Sequence, residues 1–124
     1  MVLSSTAALP IILSLLATQS MAQVCHFGPV NSNSKSWTRG AACTRSLNDN
    51  NVFACGPSGA SIVVRPARPQ SQIIAHAGSS QSTTMMVTCD GKDTLIGCQA
   101  GATTTLLYPG CFQGVKSVEI IVEH

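Results

Sequence analysis

Charge is scarce in this chain. Lys and Arg together number 7, Asp and Glu together 5, and charged residues make up 10% of the sequence. The resulting surplus of +2 is too small for the basic footprint that nucleic-acid binding needs. It also counts against a membrane-lytic surface, which is strongly basic and amphipathic. Aromatic residues are equally few: Trp37, Tyr108, Phe27, Phe53 and Phe112. A core short of large rings needs other support. The sequence has no C-x-x-C pair, no P-loop, no G-x-S-x-G and no calcium loop. Metal and cofactor sites are therefore not expected. It also lacks an N-x-Ser/Thr sequon, a lipidation motif and a second hydrophobic run.

The chain does contain one greasy stretch at its start, and Ala7 to Ala17 form an apolar run. That is the length of a signal-peptide h-region and shorter than the about 20 residues of a membrane span. Ser20 and Ala22 put small residues at the −3 and −1 positions of a cleavage site. Pro10 and the neighbouring serines make a poor buried helix. Residues 1–22 are thus expected to be a signal peptide, although no Lys or Arg stands in the n-region. Residues 23–124 are expected to form a single secreted domain with no membrane span.

All six cysteines, Cys25, Cys43, Cys55, Cys89, Cys98 and Cys111, fall in that domain. An even number on a small secreted chain predicts three disulfides. The sequence alone does not choose the pairing. Cys25-His26 invites a catalytic or metal-binding reading. Adjacent strand residues point to opposite faces, however, and no ligand spacing accompanies the pair. Cys25 is read as a staple for the N-terminal end.

Two textures follow. Residues 23–58 are rich in turn formers: "GPVNSNSKS", "SLNDNN" and "CGPSG". At most one short helix fits there, between Trp37 and Leu47, and Gly40 and Thr44 weaken it. Residues 59–124 read as strands. "ASIVVR" and "QIIAHA" are β-branched runs joined by "PARPQS". "TTMMVTCDGKDTLIGC" predicts a hairpin turning at Asp90-Gly91, with Met85, Val87 and Cys89 facing inward. In the last segment Val118, Ile120 and Val122 share a face. Ile121 breaks the alternation, which predicts cover on both sides of that strand. The expected fold is mainly β, a small disulfide-stapled antiparallel sandwich or barrel. The alternative is a compact α+β fold with one or two short helices.

Few residues point to chemistry. His26, His76, Glu119 and Arg65 are the types a metal-free ribonuclease combines, but no motif draws them together. His124 stands last in the sequence. Asp90 and Asp93 are read as turn residues and not as a hydrolytic pair. No catalytic residue is assigned. Trp37 is a candidate sugar or partner contact, or else an anchor of the turn-rich half. Arg65 and Arg68, each followed by Pro, are the candidate partner-binding cations. A polyproline II turn would place both on one side of a stiff loop.

A cleavable leader, about 100 mature residues, six cysteines and a Ser/Thr/Gly-rich β body resemble the small cysteine-rich proteins secreted by plant-associated fungi and oomycetes. The Cys-Cys doublet and eight cysteines of hydrophobins are missing, as is the helical pattern of elicitins. The resemblance carries over no site residue. It implies a non-enzymatic effector acting on a host or extracellular protein or glycan. A killer-type toxin or antimicrobial protein is the alternative, and a small hydrolase such as a ribonuclease the second alternative. A monomer is expected.

Overall fold

A computed structural model describes residues 24–31 and 33–124. The expected leader, residues 1–22, lies outside the described residues. Ten strands follow in order: β1 (Cys25–Phe27), β2 (Trp37–Ala42), β3 (Thr44–Arg45), β4 (Val52–Ala54), β5 (Ser61–Arg65), β6 (Ser71–His76), β7 (Thr83–Cys89), β8 (Lys92–Cys98), β9 (Thr103–Tyr108) and β10 (Ser117–Glu123). They form two antiparallel five-stranded sheets. The first has the order β1-β8-β7-β10-β2 and the second β3-β4-β5-β6-β9. The sheets stack as a sandwich and do not close into a barrel.

No α-helix occurs among the described residues; one 3-10 turn spans Gly56–Ser58. The α+β alternative is therefore not realised. The segment that could have held a helix, Trp37 to Leu47, instead contains β2 and β3. Pairing to β10 holds β2 extended, and a register shift between Glu119 and Ile121 marks a bulge opposite Gly40 and Ala41. Gly40 is required there, because a Cβ would press on the carbonyl oxygen of Ile120.

The core is made by the inward rows of both sheets. Ile62, Val64, Ile73 and Ala75 come from the second sheet, and Met85, Val87, Ile96 and Val118 from the first. Each large aliphatic side chain buried this way contributes roughly 1.5–3 kcal/mol of transfer free energy. Phe53 is the buried aromatic, not Trp37. The β7–β8 hairpin turns at Asp90-Gly91, with φ of 54° and 73°. Both values suit a type I′ turn. Cys89 points inward beside Met85 and Val87.

Three disulfides tie the frame: Cys25–Cys98, Cys43–Cys55 and Cys89–Cys111. Cys25 lies directly opposite Cys98 in the β1–β8 pair, so it is a staple. His26, next to it, is exposed and bonds through Nε2 to the carbonyl of Pro29.

The connection from β1 to β2 joins the two opposite edges of one sheet. It does so by crossing that sheet's outer face as a strap. Over β8 it rests on Gly97, where any Cβ would collide with Val30 N and Gly28 O. Over β7 the Val30 amide donates to Thr84 Oγ1 at 2.9 Å. Over β10 the Asn31 amide and Ser34 Oγ donate to Glu123 Oε1 at 3.2 and 2.8 Å. Thr84 Oγ1 in turn donates to Glu123 Oε2 at 2.8 Å. Ile121, on this outer face, is consequently buried, which is the two-sided cover its sequence pattern predicted. Beyond the strap, Arg39 reaches across the same face to Glu119 and Asp93, at 2.6 and 3.2 Å. Met86, in register between Glu119 and Leu95, is fully buried there.

Candidate functional site

Antiparallel order sends a defined set of loops to each end of the sandwich. One end receives the β3–β4 loop (46–51), the β5–β6 loop (66–70), the Asp90-Gly91 turn and the β9–β10 loop (109–116). These loops hold one another. Cys89–Cys111 joins the hairpin tip to the β9–β10 loop, and the Cys111 amide donates to Asp90 Oδ2 at 2.6 Å. Asn51 accepts from the Val115 amide with Oδ1 at 3.1 Å and from the Val64 amide with its carbonyl at 2.9 Å. The Lys116 amide donates to Thr88 O at 2.8 Å. Loops anchored in this way keep their backbones in fixed relative positions.

Five of the seven Lys and Arg residues stand at this end: Arg45, Arg65, Arg68, Lys92 and Lys116. All five are exposed. Arg45 is braced from three sides. It lies 4.9 Å from the Phe53 ring centroid and donates to Asn50 O at 3.0 Å and Lys116 O at 2.6 Å. Arg68 lies 4.3 Å from the centroid of the Phe112 ring. Arg65, Lys92 and Lys116 use no side-chain nitrogen in a hydrogen bond or ion pair among the described residues. The two carboxylates at the same end are turned to backbone work. Asp90 accepts from Cys111, and Asp49 Oδ1 accepts from the Asn51 amide at 2.9 Å. Asp93, one step along β8, is already paired with Arg39. The end is therefore a basic surface, with five cations against the carboxylates of Asp49, Asp90 and Asp93. No cavity opens among the described residues, so it is a surface and not a cleft.

Arg65 and Arg68 both belong to this end, though not as one polyproline fork. Arg65 is the last residue of β5 and pairs with Gln72 in the sheet. Arg68 alone is in the loop, over Phe112. Arg45, Lys92 and Lys116 have no sequence signal that links them to the pair; only the strand order brings them together. Trp37 is elsewhere. It opens edge strand β2 and is 42% exposed, so it is neither a loop residue nor a core anchor.

The four residue types of the ribonuclease reading do not converge. His76 lies on the outer face of the second sheet, bonded to Thr103 Oγ1 at 2.7 Å. Glu119 lies on the outer face of the first sheet, bound to Arg39. The sandwich separates them. His76→Ala should lower stability by no more than about 1 kcal/mol, the worth of one exposed hydrogen bond. RNA incubated with wild type and with this variant should degrade equally slowly. A cleavage activity that disappears on substitution would make His76 a functional base.

No group of three or more His, Cys, Asp or Glu side chains suited to a metal ion occurs among the described residues. No helix among the described residues is long and apolar enough to cross a membrane. The fold and site define a disulfide-stapled β-sandwich with one basic loop end. No protein-family model, curated protein or solved structure matches the chain.

Proposed function

We propose that this chain is a secreted, non-enzymatic binding protein of the effector kind. Its basic loop end docks on a carboxylate-bearing surface of a host or other extracellular protein. Three disulfides support an oxidising compartment, as in extracellular proteins. The observation that carries the reading is the convergence of five exposed cations from separate chain segments, while Asp49 and Asp90 are held in turns. A net charge of +2 steers little over distance at physiological salt, where screening sets in at about 8 Å. The energy must come from close contacts; Arg45 and Arg68 are already braced, while each of the other long side chains costs about 0.5–1.5 kcal/mol to order on binding.

Reversal of Arg65, Lys92 and Lys116 to Glu tests this. These side chains brace nothing in the described fold, so the melting curve should hold. Affinity for the partner captured by the oxidised protein should fall roughly tenfold or more, with a smaller loss at high salt. Unchanged affinity with an unchanged melt would show that partners dock elsewhere. Arg68→Glu is the weaker probe, because its stacking on Phe112 contributes roughly 0.5–1 kcal/mol to the fold itself.

A further inference from the structure

Two sheets have four edges, and these differ in length and exposure. The β1 edge faces β9, where the Cys25 amide donates to Thr104 Oγ1 at 2.9 Å and the Phe27 and Tyr108 rings lie 5.8 Å apart. β9 meets β1 through the Thr104 and Tyr108 side chains, and its residues alternate between exposed and half-buried. The β3 edge has two residues. β2 has six, and every one except Gly40 is exposed. It is the most exposed long edge among the described residues.

The pairing with β10 fixes which backbone groups are free. His124 N donates to Ser36 O at 2.9 Å, and the register continues as Glu123 with Trp37, Val122 with Thr38 and Ile121 with Arg39. Bonded and non-bonded pairs alternate in an antiparallel ladder. Ser36 and Thr38 therefore turn their N–H and C=O to β10. Trp37 and Arg39 turn theirs outward. Their side chains share the outer face of the sheet with Ile121 and Glu123.

We propose that β2 pairs antiparallel with β2 of a second copy of this chain, about a two-fold axis at Thr38. Only three registers join the free groups of Trp37 and Arg39. One sets Arg39 against the partner's Arg39, and another sets Lys35 against the partner's Arg39. Both oppose like charges. The third pairs each Trp37 with the partner's Arg39 and places Thr38 beside the partner's Thr38. Each indole then covers the aliphatic stem of an arginine whose guanidinium stays on Glu119 and Asp93. Threonine pairs also suit the non-bonded position. The basic loop ends point to opposite poles of such a dimer and remain uncovered, so this pairing and the docking proposal fail separately.

Sedimentation velocity on the oxidised protein reads the pairing directly. An edge-only interface is small, so association should appear between roughly 10 μM and 1 mM. Trp37→Pro removes one outward N–H that β10 does not use. It should weaken self-association at least roughly tenfold with the melt retained. Thr38→Cys puts two thiols at a non-bonded pair, where Cα atoms approach to about 4.5 Å, within disulfide range. Its oxidised crosslinking should exceed that of Leu47→Cys, an exposed loop control, by roughly fivefold. The crosslink serves as the test where the proline variant fails to fold. A monomer throughout the concentration range overturns the proposal, including where β2 takes up an extended peptide of another protein instead. A dimer that persists undiminished in folded Trp37→Pro also overturns it, as does Thr38→Cys crosslinking no better than the control.

Discussion

Replacing Cys25 and Cys98 together by Ala should cost about 4 kcal/mol, which the chain-entropy account gives for a loop of this size. The bond spans 73 residues and joins the first strand to the eighth. Both sulfurs are buried, so the change also leaves a small void in the core. Removing both cysteines avoids a free thiol that would attack the other two bonds. For a domain of this size the melting temperature should drop by roughly 15–30 °C. Thermal unfolding followed by circular dichroism checks it. A drop of only a few degrees would mean that the β1–β8 ladder and the strap hold the terminus without the bond.

The second large effect is at Glu123. Its carboxylate accepts from the Asn31 amide, Ser34 Oγ and Thr84 Oγ1. Hydrogen bonds to a charged acceptor are worth more than neutral ones, and cutting three at once leaves donors of the strap without partners. Glu123→Ala should destabilise by roughly 2–3 kcal/mol, allowing for the partly exposed setting. The loss should be local in its onset. Amide exchange at Val30 and Asn31 should accelerate well before that of Met85 or Ile96. Glu123→Gln keeps one carbonyl acceptor and should recover part of the loss. Uniform acceleration across the sandwich would show that the strap is not a separate unit of stability.

Much of the second half was legible because β5, β6 and β9 bury one face more than the other. The β7–β8 hairpin follows from period-two alternation and an Asp-Gly pair that accepts positive φ. Ile121 signalled the strap, since an apolar residue on an outer face asks for a cover. What forms that cover was not readable. The strap is held by Glu123, Thr84 and the bare backbone at Gly97, and polar latches leave no hydrophobic pattern. β2 was hidden for a related reason. An edge strand exposed at nearly every position has no alternation to read. The basic end was half legible. Arg65 and Arg68 are neighbours in the chain. Lys92 and Lys116 join them only because β8 and β10 begin at the end where β5 finishes, and a single sequence does not state strand order.

The strap also dictates the sequence of events in assembly. Residues 25–42 leave the ribosome early, yet β1 pairs with β8 and β2 with β10. For most of synthesis these strands have nothing to pair with. Cys43 finds Cys55 only 12 residues later, and Cys89 finds Cys111 after 22. Cys25 must pass by Cys43, Cys55 and Cys89 before Cys98 is made. Contacts this distant in sequence form slowly, because loop closure is unfavourable until the partner surface exists. The strap can only be laid once β8, β7 and β10 stand side by side beneath it. A segment made ahead of its partners is thus the last to settle. Its polar composition, "NSNSKS", keeps it in solution during that delay.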